Sequence, residues 1–337
     1  MKAYSISSFG IDNFSLVDRP TPSPAANQVL IRVRAVSLNY RDLMVVKGAY
    51  NPKMKLPRIP FSDGAGEVVA VGNAVTRFRV GDRVAGSFFQ NWIEGPPTAQ
   101  KIKGALGGDI DGILAEYVAL NESGVVAVPA HLTFEEASTL PCAAVTAWHA
   151  LMHAALIQPG QTVLIQGTGG VSIFALQFAL LAGARVLGTS SNDDKLARAQ
   201  KLGLAAGLNY QQHPDWEKWA REQTAGEGVD VVIEVGGSGT FARSMQAVRV
   251  AGLIAQIGVL SATAEPLTVQ PILHKSLHVQ GIYVGSRAMF EEMNTAVAQH
   301  QLHPVIDLVF EFAQAREALR YMESASHFGK IVIRVGE

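Results

Sequence analysis

The sequence predicts an α/β protein of two domains, one β-rich and interrupted in the chain, the other an open, doubly wound parallel sheet inserted into it. Three observations carry this. Residues 1–125 are dense in short β signals and turns, helices and apolar strands alternate from about residue 126, and mixed β and helical signals return from about residue 285. The returning tail is expected to fold back onto the first domain, which then comprises 1–125 with 285–337, around a sheet domain of 126–284.

At 337 residues the chain is long enough for about two domains, and 48% hydrophobic with 17% charged residues is ordinary for a soluble globular enzyme. A formal net charge of −1, with Lys and Arg dispersed, leaves no electrostatic footprint for nucleic acid or an anionic membrane. The opening residues MKAYSISSFG lack the apolar run of a signal peptide, and the longest apolar stretches are broken by Gln177 or by Thr146, His149 and His153. A cytoplasmic location is expected. Cys142 is the single cysteine, which excludes an intrachain disulfide and a multi-cysteine zinc lobe.

In the first domain Val29–Val36 alternates as VLIRVRAV, Glu67–Val71 is apolar after DGAG, and Gly81-Asp82 turns the chain into Arg83–Ala85. Pro20, Pro22 and Pro24 stiffen an early loop, while Gly86–Gly112 is a long Gly- and Pro-containing segment that reads as a lid or as a contact surface. Thr133, with Glu135 and Glu136 in the first turn, opens a helix, and Cys142–Leu156 continues helically until Pro159-Gly160 leads into a strand. Helices are expected at Asp194–Leu202 and Trp216–Thr224, with a short strand Gly207–Tyr210 between them. Strands Val229–Glu234, Leu253–Ile257 and His278–Val284 end in Gly236-Gly237, Gly258 and Gly285, as in an open sheet whose ligands lie outside the strand carboxyl ends. The tail reads as a helix at Met289–His300, a strand near Val305–Phe310, a helix at Ala313–Ser324 and a closing strand Lys330–Val335.

The chemistry concentrates in Thr162–Lys195. Thr162–Gln166 is an apolar run suited to a buried parallel strand, and it meets Gly167, Thr168, Gly169, Gly170 and Val171 without a charged residue between. Ile173, Leu176, Ala179 and Leu180 then recur at helical spacing, Gly183 stops the helix, and Arg185–Thr189 reads as a second strand. Strand, glycine turn and helix start are the setting in which a backbone approaches a pyrophosphate seated on a helix N-terminus. Ser172 holds the last motif position in place of glycine and is small enough for close helix–strand packing.

Taken in order, PFSDGAGEVVAVG (60–72), VGDRVAG (80–86), GILAEYV (112–118), GTGGVS (167–172) and GKIVIRV (329–335) resemble the medium-chain dehydrogenase/reductase superfamily over essentially the whole chain. The resemblance implies a GroES-like catalytic domain interrupted by a Rossmann domain, with hydride exchanged between a nicotinamide and a substrate. Zinc alcohol dehydrogenases of that superfamily hold a catalytic zinc with Cys, His and Cys, and the pattern here places Asn39, Ser62 and Cys142 at those positions. An amide, a hydroxyl and one thiol make a poor zinc set. The pairs His149/His153 and His274/His278 have HxxxH spacing but lack a third ligand, so no metal site is expected.

The sequence is instead similar to the zinc-free branch of quinone oxidoreductases and enoyl reductases. The resemblance places Asn39 and Asp42 of NYRD near the nicotinamide and Tyr50 of KGAY as a proton donor, with Tyr40 a second candidate; Asn39 and Asp42 also suit a turn whose side chains bond to backbone. At the end of the second strand an NAD enzyme usually carries an acid for the ribose, whereas this chain reads GTSSNDDK with Ser190 there. Ser190, Ser191 and Lys195 suit a 2′-phosphate, which favours NADP(H) over NAD(H), and Asp193 and Asp194 suit the next helix N-terminus. Gly236, Gly258 and Lys330 complete the expected cofactor residues.

The function expected is therefore a zinc-independent NADP(H) oxidoreductase that passes hydride to a small quinone, enone or other activated carbonyl. An alcohol or aldehyde dehydrogenase and a non-catalytic NADPH-binding module are the alternatives. His278–Val284, at the sheet edge by the resemblance, is expected to pair with its copy in a homodimer.

Overall fold

The computed structural model describes residues 1–261 and 266–336, which form two compact units. Residues 1–145 with 285–337 make one unit and 146–284 the other, so the interruption read from the tail is present. The first break lies later than residue 125 because Phe134–Ser138 is committed to the β-rich unit. That helix is capped by Thr133, whose Oγ1 accepts from Glu136 N at 3.1 Å, and it packs on three strands of that unit, Gln28–Ser37, Asp63–Val71 and Lys330–Arg334.

The β-rich unit has β1 (Lys2–Ile6), β2 (Phe14–Asp18), β3 (Gln28–Ser37), β4 (Asp63–Val71), β5 (Arg83–Gly86), β6 (Tyr117–Asn121) and β7 (Val125–Ala127) before the insertion. The alternating VLIRVRAV segment forms β3, the longest of these strands, and the sheet is built around it. Its first half pairs antiparallel with β6, from Gln28↔Asn121 to Arg32↔Tyr117, and it pairs with β4 along its length. A segment after the insertion completes the sheet, because Val332↔Ser37 and Arg334↔Ala35 join the last strand to β3. One core is therefore shared by residues far apart in the chain, including Ile6, Phe14, Val36, Phe61, Leu319, Ile331 and Ile333. The segment Gly86–Gly112 buries Phe88, Phe89, Trp92 and Leu106, and Trp92 O accepts from Arg287 N at 2.9 Å, so this stretch is packed as part of its unit.

The inserted unit has β8 (Thr162–Gln166), β9 (Arg185–Ser190), β10 (Ala206–Asn209), β11 (Val229–Glu234), β12 (Val248–Gln256) and β13 (His278–Gly281), all parallel, in the order β10-β9-β8-β11-β12-β13. This is the doubly wound order, with its reversal between β8 and β11. The helix Gly170–Leu181 buries Ile173, Phe174, Ala175, Leu176, Phe178 and Ala179, which suits a helix packed into an α/β unit. β13 is shorter than His278–Val284, lies at the sheet edge and is exposed along its four residues. After it the chain returns to the β-rich unit through β14 (Ile306–Glu311) and β15 (Lys330–Arg334), which pair in parallel. Among the described residues no helix is long and apolar enough to cross a membrane.

Candidate active site

In the inserted unit, β8 and β11 flank the point where strand order reverses, and glycine follows each, Gly167 directly after β8 and Gly236 one residue beyond β11. Gly167 has φ +67°, and Gly169 is the N-cap of Gly170–Leu181. A Cβ on Gly167 or Gly169 would meet no atom within 4 Å, so the outer face of this turn is open. The first amides of a helix have no intrahelical acceptor, and Ser172 turns its hydroxyl inward to Gln166 O at 2.7 Å. An open glycine face beside unspent helical amides fits a dinucleotide pyrophosphate, with Gly167, Thr168, Gly169, Gly170 and Val171 as its lining.

A buried carboxylate holds the neighbouring loop. Glu234 Oε1 accepts from Gly236 N at 2.8 Å, Gly237 N at 2.9 Å and Thr240 Oγ1 at 2.6 Å. Its Oε2 accepts from Gln166 Nε2 at 2.8 Å and from Ser244 Oγ. Glu234 and Gln166 thus tie the ends of β8 and β11 together, a role the sequence reading missed. The available signal was one acid closing the apolar strand VDVVIE immediately before a glycine pair. Gly236 spends its amide on Glu234 and Gln166, and Gly258 spends its own on Glu234 O at 3.1 Å. A Cβ on Gly258 would lie 1.9 Å from Val235 O, so close backbone approach requires glycine there.

At the end of β9, Ser190 is buried and its Oγ accepts from Asn192 N at 3.3 Å. Asn192 Oδ1 caps the Asp193–Lys201 helix by accepting from Lys195 N at 3.0 Å. The Asp193 carboxylate is occupied by Asn209 Nδ2 at 3.0 Å and Gln212 Nε2 at 2.9 Å, which ties the helix start to the end of β10. Ser191 and Lys195 are half-buried.

The second site lies wholly within the β-rich unit. From β3 the chain enters the helix Tyr40–Val46 through Asn39, and Asp42 Oδ2 accepts from Asn39 N at 2.8 Å. This helix-capping bond is the local reason for an Asn and an Asp three residues apart. Where β4 begins, Ser62 Oγ donates to Asp63 Oδ1 at 2.6 Å, and Cys142 N donates to Asp63 Oδ2 at 2.9 Å. Asn39 Nδ2 stands 3.5 Å from Ser62 Oγ. Lys330, the first residue of β15, brings its ammonium into the same cluster and donates to Leu38 O and Asn39 Oδ1, both at 2.6 Å. Asn39, Asp42, Ser62, Asp63 and Lys330 are all buried.

Burial pushes the Asp42 carboxyl up to about 7 against the opposing pull of the Arg41 guanidinium. Burial also raises Asp63 while Lys330 opposes the rise, and burial lowers the Lys330 ammonium while Asp63 opposes that. The Cys142 thiol is raised by burial first and by Asp63 second. Arg41 donates from Nη1 to Leu106 O at 2.7 Å, lies 3.8 Å from Asp42 Oδ1, and sits 5.3 Å and 4.7 Å from the ring centres of Tyr50 and Phe88. Tyr50 and Tyr40 are 39% and 45% exposed. The structure therefore gathers Asn39, Asp42, Ser62 and Cys142 as grouped above, links Tyr50 to them through Arg41, and adds Asp63 and Arg41. Lys330, grouped above with the cofactor residues, has its ammonium directed at protein acceptors in this cluster.

These residues do not fit a catalytic zinc. The Asn39 oxygen is taken by an ammonium, and the one thiol is held in its protonated form by burial and a neighbouring carboxylate. Among the described residues no group of three or more His, Cys, Asp and Glu side chains could hold a metal ion. His149, one half of an HxxxH pair, spends its Nδ1 on Val284 O at 2.7 Å.

Family models match both parts of the chain: an alcohol dehydrogenase GroES-like domain at residues 25–130 and a zinc-binding dehydrogenase model at residues 170–299. A zinc-type alcohol dehydrogenase-like protein of Schizosaccharomyces pombe is 44% identical over 314 residues, covering 91% of each chain. The chain belongs to the medium-chain dehydrogenase/reductase superfamily. A quinone oxidoreductase of Pseudomonas aeruginosa is 29% identical over 326 residues, 94% of each chain. A crystal structure of a candidate alcohol dehydrogenase from Sinorhizobium meliloti 1021 superposes with a TM-score of 0.92 at 40% identity, covering 99% of this chain and 98% of the other. As a medium-chain dehydrogenase/reductase, the protein is an oxidoreductase with a GroES-like domain and a parallel-sheet nicotinamide-binding domain.

Proposed function

We propose that the protein is a zinc-independent NADPH-dependent reductase of activated carbonyl compounds, such as enones and quinones, acting as a cytoplasmic homodimer. The observation that carries this reading is the buried cluster of Asn39, Ser62, Asp63, Cys142 and Lys330, in which a lysine ammonium occupies the donor that a metal would need. The nicotinamide supplies the hydride when bound. Gly167–Val171 would hold its pyrophosphate, and Ser190, Ser191 and Lys195 would meet a 2′-phosphate. With no Lewis acid to polarise the acceptor, that task falls on hydrogen-bond donors, and the proton on Tyr50 or Tyr40. Acceptors that are already activated place the smallest demand on such donors.

Oxidation of NADPH across a panel of quinones, enones, enoyl thioesters and aldehydes tests the proposal. Turnover of enones or quinones with little aldehyde turnover supports it. The 44% identical relative, named as zinc-type alcohol dehydrogenase-like, favours the second reading, and alcohol-dependent reduction of NADP⁺ exceeding every reductive activity would establish that one instead.

A further inference from the structure

We infer that Glu234 is a positioning residue for the nicotinamide half of the cofactor: with Gln166 it forms a pair of fixed hydrogen-bond polarity that holds the Gly236-Gly237 loop, and with it the end of β12, at the edge of the cofactor crevice. The inference rests on the NADPH-dependent reading above, and it extends that reading to a buried pair outside the lining already named.

Topology assigns the loop its half of the ligand. In a doubly wound sheet the dinucleotide crosses the crevice where strand order reverses, here between β8 and β11. The adenosine ribose belongs with the end of β9 and the pyrophosphate with the glycine turn after β8, so the remaining half lies over the ends of β11 and β12. Ser238 and Gly239, which open the helix after Gly237, are exposed there. The two strand ends are bonded into one piece: Ile257 N donates to Glu234 O at 2.9 Å, Ser261 N to Gly236 O at 2.7 Å, and Ser261 Oγ to Gly236 O at 3.0 Å. A Cβ on Gly237, whose φ is +90°, would lie 3.0 Å from Val259 Cα, so the loop is also packed closely against the segment that follows β12.

The chemistry of the pair leaves one arrangement. The backbone amides of Val235 and Gly236 donate to one end of the Gln166 side chain, at 3.3 Å and 3.2 Å, so that end is the oxygen, and Nε2 faces Glu234 Oε2 and Ser244 Oγ at 2.8 Å each. Glu234 then meets donors at both oxygens, Gly236 N, Gly237 N and Thr240 Oγ1 on one, Gln166 Nε2 and Ser244 Oγ on the other. An ionised carboxylate accepts at both ends, and an amide does not. Glutamine at 234 would have to turn its NH₂ toward either the glycine amides or Gln166 Nε2, and both are donors. Glu234 and Ser244 are 0% exposed and Gln166 is 5% exposed, so bulk water does not replace a lost partner.

The test is binding to the full chain of NADPH, read by nicotinamide fluorescence, and of 2′,5′-ADP, which carries the adenosine half alone, read by calorimetry. Glu234→Gln should weaken NADPH by about tenfold, the value of roughly one hydrogen bond, and 2′,5′-ADP by less than about twofold. Amide exchange at Gly236 and Gly237 should quicken by about tenfold or more in the same variant. Gln166→Glu, which sets two carboxylates against each other, should do the same. The reciprocal swap, Gln166→Glu with Glu234→Gln, should recover NADPH affinity and slow the exchange again, because amide and carboxylate trade roles across one contact. Losses of NADPH and 2′,5′-ADP that are equal, an unchanged NADPH affinity, or a swap no better than Glu234→Gln alone would overturn the proposal. Should the wild type bind NADH in preference, NADH and AMP carry the same comparison, and a loss confined to NADH would reject the NADPH reading while keeping the positioning claim. Should Glu234→Gln fail to fold, Thr240→Val, which removes one loop donor to Glu234, carries the same measurements.

Discussion

Replacing Asp42 by Asn is predicted to stabilise the protein at neutral pH and to leave it unchanged in acid. Asp42 is fully buried, its Oδ1 has no hydrogen-bond partner, and the nearest cation, Arg41 Nη1, stands 3.8 Å away. Desolvation therefore wins, and the carboxyl is pushed from 3.8 up to about 7. Below the ordinary carboxylate range both folded and unfolded chains hold the proton, and the group is neutral for stability. As pH rises toward 7 the unfolded chain releases a proton that the folded chain keeps, so stability falls through this interval. A rise of about three units at ~1.4 kcal/mol per unit corresponds to about 4 kcal/mol lost by the wild type once pH exceeds 7. Asn carries no charge, and its Oδ1 can still accept from Asn39 N, so the variant avoids the loss. Urea denaturation of both proteins at several pH values between about 4 and about 8 measures it, as a stability gap that opens with rising pH. A gap that is constant, or that opens as pH falls, would refute the reasoning and mean that Asp42 is ionised in the fold.

Lys195→Ala should weaken NADPH binding by about 1.5–3 kcal/mol while scarcely changing NADH, the value of one charge-assisted phosphate contact; equal losses for both cofactors would remove Lys195 from the phosphate site. Tyr50→Phe should lower kcat for an enone by about 10²–10⁴-fold with NADPH affinity nearly unchanged, and loss only in Tyr40→Phe would transfer the donor role to Tyr40. Elemental analysis after dialysis should find no stoichiometric zinc, and one zinc per chain lost together with activity on chelation would overturn the metal-free reading. Light scattering should find a dimer that Val279→Lys, on the exposed edge strand β13, converts to monomer; a wild-type monomer at micromolar concentration would exclude pairing through β13.

The parts of the fold legible in the sequence are those written in local period. β8, the glycine turn, the following helix and β9 were read from a charge-free apolar run and helical spacing over about thirty residues, and the strand at Val229–Glu234 was read to the residue. The helix Tyr40–Val46 was not read, because seven residues leave little periodicity and its cap looked equally like a turn. The later domain boundary escaped for a related reason. Thr133 announces a helix, but nothing near it says that the helix packs on β3, β4 and β15, two of which lie far away in sequence.

The candidate cluster was half legible for the same physical cause. Asn39 and Asp42 are close in the chain, and their motif could be seen. Asp63 meets them because β4 pairs with β3, Cys142 through its amide bond to Asp63, and Lys330 because β15 pairs with β3 in one register, bringing Lys330 to a side chain 291 residues earlier. Taken separately, Asp63 opens a strand, Cys142 lies in a helical turn and Lys330 follows a glycine, and each of these local readings is sound. What no local reading supplies is the charge count. Two carboxyls and two cations share one buried site, and a slip of β15 by one residue would point Lys330 to the opposite face of the sheet. Asp63 would then be buried without its cation, a cost of several kcal/mol for an unpaired charge. The register of β15 is therefore held by electrostatics in the site as well as by Ile331 and Ile333 in the core, which couples the assembly of this split unit to the assembly of its chemistry.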